Sequence, residues 1–390
     1  MRPVPAHGCG PYTRARHRRT GTAPRDTLWH ADEHTLAKHR VLRSYLEAWI
    51  PILATQTGRL VLVDGFAGPG RYLDGEDGSP ILMLKAFLEH KHRSAIDAQL
   101  EYLFIEKDED RADYLDNEVR RVLADAGAPM NVTARSIHGE FAANLPTVLA
   151  AIGGTRRASM FVFIDPFGYT GWQLEQSGKI LALPRCEVLA FVPLSHIARF
   201  LDKDVIAPSL SSLFGDDRWK EARRSGDRVV SLRRLITTAL GEYAEHVRSF
   251  TLLDKTGSQV YELFFGTQNR AGLGHIKKAM WSVDPGGGYR FRDPQAKGQI
   301  ELFTRTPDLT PLADMVRSKF GTRPFTIREA EDFVLFDTPY LHDAHLKRKT
   351  LAAEERAGRL EVLTKRARKG TYPAGTRMQF RPPGPPAARR

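Results

Sequence analysis

Three apolar runs in this chain each end in a carboxylate. Leu60-Val-Leu-Val leads to Asp64, Leu100-Glu-Tyr-Leu-Phe-Ile to Glu106, and Met160-Phe-Val-Phe-Ile to Asp165. An acid at the tip of a buried strand is placed to fix a charged or hydroxyl-bearing part of a ligand, because open α/β sheets bind outside the carboxyl ends of their strands. Behind Asp64 come Gly65, Phe66, Ala67, Gly68, Pro69 and Gly70. These glycines let the backbone turn sharply and approach a nucleotide-like ligand without Cβ interference. A tight strand-to-helix turn would also account for them. A fourth polar tip follows Asn131–Arg135, where His138-Gly139-Glu140-Phe141 stands, and four such tips in register are hard to explain as turns alone.

The spacing separates ligand classes. A nicotinamide-binding unit needs its ribose acid about 20 residues past the glycines and a helix that opens at once. Glu106 lies far beyond Gly70, residues 71–78 read as loop, and the helix is predicted to begin at Ser79-Pro80, with Ser as N-cap. No Gly-Lys-Ser/Thr follows, so a P-loop is excluded. An acid before the glycines and a late second acid resemble S-adenosylmethionine-dependent methyltransferases more than dehydrogenases.

The elements that must hold these acids are legible as alternation. Residues 35–54 form one amphipathic helix, with Leu36, Val41, Leu42, Tyr45, Leu46 and Trp49 at near-helical spacing. Helices at 80–90, 108–126 and 141–152 then separate the strands, the signature of a parallel, doubly wound sheet. Residues 186–192 supply another buried strand. Residues 195–248 read as a helical insertion ending in a long helix over 227–247. Two β-rich runs, 250–254 and 260–267, flank Lys255-Thr-Gly-Ser258 as a hairpin. The fold class expected is α/β, with a Rossmann-like sheet over 28–305 and a separate C-terminal unit over 310–380.

Formal net charge is +12 and unevenly spread. Residues 1–27 carry six Arg against one Asp, residues 311–390 carry 17 Lys/Arg against nine Asp/Glu, and the remainder is close to neutral. The first segment reads as a basic disordered arm and residues 381–390 as a Pro/Arg-rich disordered tail. Charge alone leaves two explanations, a polyanion partner or Arg-rich solubility. Only Cys9 and Cys186 occur, too few for a disulfide framework or a zinc site, so a reducing cytoplasm is the compartment expected and no metal is implied. No apolar run is long enough to span a bilayer, and no membrane partner is expected.

Past Thr310 the pattern is three helices (312–320, 327–336, and 338 to about 356) followed by two strands (359–364 and 376–380) around a basic turn, which is a winged-helix pattern. Nucleic-acid contacts are expected from His345, Arg348 and Lys349 on the third helix and from Lys365, Arg366, Arg368 and Lys369 on the wing. A winged helix used for protein contacts is the alternative. Lys277 and Lys278 read as a solvated helix face.

Across residues 28–300 the chain resembles the three-Cys-motif partner protein (TcmP) family. The resemblance rests on Trp29, His34-Thr35 and Lys38-His39, on Asp64–Gly70 with Gly78-Ser79-Pro80, on Ile164–Gly168, on Phe265-Gly266-Thr267 and on Lys277–Trp281. It implies a class I methyltransferase fold, S-adenosylmethionine as cofactor, and a partner protein with a three-cysteine motif encoded nearby. It further implies that Asp64, Gly65, Phe66, Ala67, Gly68 and Gly70 surround the amino-acid portion of the cofactor. Glu106 would take the ribose, and Glu140 and Phe141 the adenine edge. Asp165, Pro166 and Phe167 then stand where amino-methyltransferases carry Asp/Asn-Pro-Pro-Tyr/Phe, whose acid accepts from the target amine. Here the second proline is missing. Phe167, Tyr169 and Trp172 either stack a flipped base or close the core. His34, Lys38 and His39 are placed to reach across the cofactor mouth or to bind phosphate.

Overall fold

The computed structural model describes residues 26–31, 33–153, 158–253, 259–285, 290–292 and 307–382. The basic arm before Asp26 with Cys9, the hairpin turn at Lys255–Ser258 and the tail beyond 382 lie outside these residues, as do the side chain of His34 and the linker 293–306.

Seven-residue strands with no exposed position need helices on both faces, and the chain provides them by strict alternation. Strands β1 (Arg59–Asp64), β2 (Gln99–Glu106), β3 (Val132–His138), β4 (Ala158–Ile164) and β5 (Cys186–Val192) are parallel. β6 (His246–Leu253) and β7 (Gln259–Thr267) form the antiparallel hairpin, and β7 runs antiparallel to β5. A short β8 (Arg290–Arg292) joins β6, giving the order β3-β2-β1-β4-β5-β7-β6-β8. The reversed β7 between β5 and β6 makes this the Rossmann-like sheet of class I methyltransferases. The direction of winding changes between β1 and β4, and the tips of those two strands are where sheets of this kind bind their ligands.

Helices α1 (Glu33–Ala54), α2 (Ser79–Leu88) and α3 (Glu109–Asp125) cover one face, and α4 (Phe141–Ile152), α5 (Leu174–Leu181), α6 (Leu194–Phe200), α7 (Ala207–Phe214), α8 (Lys220–Arg224) and α9 (Arg228–Gly241) the other. α10 (Arg270–Val283) returns to the α1 side. Ser79 is not the cap expected for α2 but lies in its first turn; Gly78 caps instead, donating to Gly70 O at 2.7 Å. A Cβ on Gly78 would stand 2.9 Å from that carbonyl, so only glycine lets the loop close on itself. α9 ends at Gly241 rather than 247, because residues from His246 onward are drawn into the ladder with β7.

At the opposite edge of the sheet from the acids, Glu187 is buried at the start of β5. It accepts from Tyr45 Oη and Trp49 Nε1, both at 2.6 Å, and from Thr267 Oγ1 at 2.7 Å. Burial pushes its carboxyl above the ordinary range while these donors draw it back. This acid fastens α1 to the sheet and leaves the chemistry to the other edge.

The C-terminal unit is α11 (Thr310–Phe320), β9 (Phe325–Thr326), α12 (Ile327–Asp337), a π-helix (His342–Leu351) running into α13 (Ala352–Arg356), then β10 (Leu360–Val362) and β11 (Arg377–Phe380). A three-stranded sheet in the order β10-β11-β9 completes a winged-helix arrangement. Its core of Leu312, Val316, Phe320, Ile327, Leu346 and neighbours also takes in Trp281 of α10.

Lys277 makes the junction, contrary to its expected place on a solvated face. It is 1% exposed and donates to Val334 O (2.8 Å), Leu335 O (3.2 Å) and Thr338 O (2.9 Å), the orphan carbonyls at the end of α12. Burial pulls its pKa well down, yet every proton of the ammonium has an acceptor. Trp281 Nε1 donates to Pro339 O at 3.0 Å, and Lys278 pairs with Asp343 at 2.5 Å. Lys277→Met should therefore lower unfolding free energy by roughly 2–4 kcal/mol. Denaturant melts will measure this, and a loss below about 0.5 kcal/mol, the scale of ordinary surface changes, would remove Lys277 from the junction.

Candidate ligand crevice at the strand tips

Parallel register brings the acids together. Asp64 pairs in register with Phe104 of β2 and Phe163 of β4, two residues short of Glu106 and Asp165 on those chains. Asp64 is fully buried. Its Oδ1 accepts from Phe66 N at 3.1 Å, and its Oδ2 meets no hydrogen-bond partner among the described residues. Burial pushes the Asp64 carboxyl up to about 7, the Ser79 hydroxyl and the Phe66 amide oppose that rise, and the charges of Asp165 and Glu106 add to it. Glu106 accepts from Gly68 N at 2.8 Å and from Asp108 N at 2.9 Å, so the second acid ties down the glycine loop. Gly68 and Gly70 adopt φ of +62° and +78°, which side-chain-bearing residues avoid.

Past the glycines, Arg71 holds the loop to α3 and to its own far side through Glu118 and through Asp77 at 2.8 Å; Lys85 also pairs with Asp77, at 2.6 Å. Spacing gave no hint of this tie, since its partners are spread over 47 residues.

Both oxygens of Asp165 are engaged by a lysine, with which a target amine would have to share them. Lys38 of α1 donates to its Oδ1 at 2.8 Å and to its Oδ2 at 3.0 Å, with the ammonium 3.8 Å from the Tyr261 ring centroid and 5.3 Å from that of Phe191. Lys38 thus reaches the strand tips from α1. Phe167 remains 39% exposed and meets Trp29 edge-on at 5.4 Å. Trp29 also contacts Tyr72 at 5.8 Å and the Arg111 guanidinium at 5.1 Å, and its carbonyl accepts from Leu73 N at 2.8 Å. The segment 26–30 therefore lies across the glycine loop, which only the family motif hinted at.

Other expected residues fall differently. Glu140 stands at the rim, half-exposed, and pairs with Lys107 at 2.5 Å. Phe141 is 1% exposed, its ring pressed against Gly65 and 6.0 Å from that of Phe66, so it packs beneath the loop. Trp172 is buried with Nε1 donating to Ser177 Oγ at 2.9 Å; it closes the core and stacks on nothing outside it.

Two of the seven expected nucleic-acid contacts must be withdrawn. His345 is buried, edge-to-face with Trp281 at 4.4 Å, and its Nδ1 accepts from Leu341 N at 3.2 Å. Burial pulls its pKa down to about 4, so it carries no charge for a phosphate. Arg366 is paired with Glu355 and stacked at 5.2 Å on Tyr372, which makes it the brace of the wing. Arg348, Lys349, Lys365, Arg368 and Lys369 are exposed. Among the described residues no cluster of three or more His, Cys, Asp or Glu could hold a metal ion, and no helix is long and apolar enough to cross a membrane.

Comparison with known proteins yields no matching family model and no matching curated protein. Solved structures of low similarity do match. The O-methyltransferase from Bacillus cereus in complex with SAH is 13% identical, with a TM-score of 0.31 over 61% of this chain and 83% of that one. Trm1 from Pyrococcus horikoshii with S-adenosyl-L-methionine is 11% identical, with a TM-score of 0.35 over 64% of this chain and 60% of that one. The methyltransferase domain of bacterial CtHen1-C is 10% identical, with a TM-score of 0.31 over 59% of this chain and all of that one. At such scores these likenesses carry no weight of their own; strand order assigns the fold.

The buried acid has a consequence for stability. A carboxyl near 7 in the folded chain and about 3.9 in the unfolded one binds more protons when folded, so its contribution falls as pH rises from 4 to 7 and is flat above. Asp64→Asn should remove that slope. Relative to the parent, the variant should gain Tm at pH 8 and gain little at pH 4.5; parallel profiles from thermal melts would contradict the assignment.

Proposed function

We propose that the chain is an S-adenosylmethionine-dependent methyltransferase acting on or with nucleic acid. The observation that carries this proposal is the Asp64 Oδ2 atom, buried near two further carboxylates and without a hydrogen-bond partner among the described residues. A cationic ligand compensates such a site, and the ammonium and sulfonium of S-adenosylmethionine are cations. Asp64 with the loop Gly65–Gly70 would hold the amino-acid portion, Glu106 the ribose, and Glu140 the adenine edge. When bound, the cofactor supplies a sulfonium-activated methyl group. The protein's own share is alignment and exclusion of water, and alignment of two reactants can lower a barrier by roughly 7–11 kcal/mol. Asp165 orients the acceptor, Lys38 pairs with that carboxylate and fixes its position, and Trp29 and Phe167 form the apolar rim against which an acceptor base packs.

A second class of function has its own support. Both oxygens of Asp165 already accept from Lys38, which suits a catalytically silent module that binds ligand and nucleic acid without transferring a methyl group. Residence in a reducing cytoplasm belongs to the proposal through cysteine usage, and a three-cysteine-motif protein as partner through family resemblance; methylation of that partner is a variant of it.

Transfer of labelled methyl to DNA, RNA and the neighbouring protein separates these outcomes. Asp165→Ala should abolish transfer and retain cofactor affinity, whereas Glu106→Ala should weaken cofactor binding at least tenfold by calorimetry. Cofactor bound with no transfer to any acceptor would favour the silent module. A folded chain that binds no cofactor would discard the methyltransferase proposal.

A further inference from the structure

The winged-helix unit offers only part of its third helix to a partner. The N-terminal half of the π-helix packs one side against α10: Asp343 pairs with Lys278, His345 packs on Trp281, and His342 lies 3.6 Å from the position a Cβ would take on Gly274. A helix that reads base edges in a major groove does so largely from its N-terminal residues. One side of that end is covered by the methyltransferase-like unit itself, with buried Lys277 holding α12 alongside.

What remains exposed is basic. Arg348 and Lys349 lie on the second half of the π-helix, and Lys365, Arg368 and Lys369 on the wing. The two groups are adjacent, because the wing folds back onto α13. Glu355 accepts from Tyr372 Oη at 2.8 Å and from Gly370 N at 3.3 Å, and Gly370 lies against Ala352, one turn on from Arg348. The acids beside them are already neutralised: Glu354 is 4% exposed and paired with Arg359 at 2.8 Å, and Glu355 is paired with Arg366. No aromatic side chain of this unit is among the large exposed hydrophobics, so the face lacks the stacking platforms that single strands require.

We infer that this ridge docks on the phosphate backbone of duplex DNA without reading its sequence, an inference that rests on the nucleic-acid part of the function proposed above. The five cations match a polyanion in charge, and the packing of His342 and His345 against α10 takes two polar side chains of the helix end away from base edges.

The test is fluorescence anisotropy with the full chain and two labelled duplexes of equal length and unrelated sequence, with a single strand and an RNA duplex as further arms. Neutralising five phosphates gives a log K against log salt slope of about −4.5, and both DNA duplexes should bind within about threefold of each other. The triple change Lys365→Ala, Arg368→Ala and Lys369→Ala should flatten the slope by about 2.7, whereas His342→Ala, on the side packed against α10, should leave affinity unchanged. A tenfold preference between the DNA duplexes, or weakened binding in His342→Ala, would overturn the inference in favour of groove reading. Binding confined to single strands or RNA would overturn it and keep a nucleic-acid partner. No binding to any of the four would overturn it together with that partner, while cofactor binding stands or falls in its own titration.

Discussion

A carboxylate that is fully buried, with one oxygen unpartnered, is the constraint around which the rest of this structure is arranged. Asp64 stands at the tip of β1, which lies between β2 and β4 where the direction of winding changes, so the acids of both neighbouring strands lie close to it. Desolvation disfavours its charge, and Glu106 and Asp165 disfavour it further. A sheet optimised for stability alone would place an apolar residue there. Retaining three acids at one rim has a physical rationale if a cation completes the site.

The neighbouring elements then have distinct tasks. Glu106 accepts from Gly68 N, and Arg71 pins the far side of the same loop, so the glycine turn is fixed at both ends. Lys38 crosses from α1 to neutralise Asp165, while Trp29 lies over the loop and against Phe167. The strand tips therefore carry two carboxyl groups at Asp64 and Glu106, a lysine-paired acid at Asp165, and an aromatic rim. That gradient suits a ligand that is cationic at one end and flat and apolar at the other.

Much of this was legible in the sequence where local signals and tertiary structure agree. Strand 186–192 and helix 141–152 have the predicted bounds, because their apolar pattern and their turn residues point the same way. The acids at the strand tips followed from period and spacing. Tertiary contacts decided the rest. Lys277 and His345 have the residue types of a solvated or DNA-binding helix, yet both are buried because α10 and the C-terminal unit pack on each other. Arg366 looked like one of four wing cations until Glu355, 11 residues away, claimed it. Lys38 could be placed on a helix before β1, but its bond to Asp165 spans 127 residues and no periodicity encodes it. Helix α5, only eight residues long, leaves no periodic signal, and α10 is legible only as the helix face that carries Lys277 and Lys278.

The most direct test of the central claim is proton release on cofactor binding, measured by calorimetry of S-adenosylmethionine in buffers of different ionisation enthalpy. At pH 6, below the Asp64 midpoint of about 7, binding should expel close to one proton per site, and the release should vanish at pH 8.5 and in Asp64→Asn. Binding with no proton linkage, or linkage unchanged in Asp64→Asn, would contradict the assignment of Asp64 as the group that meets the cation.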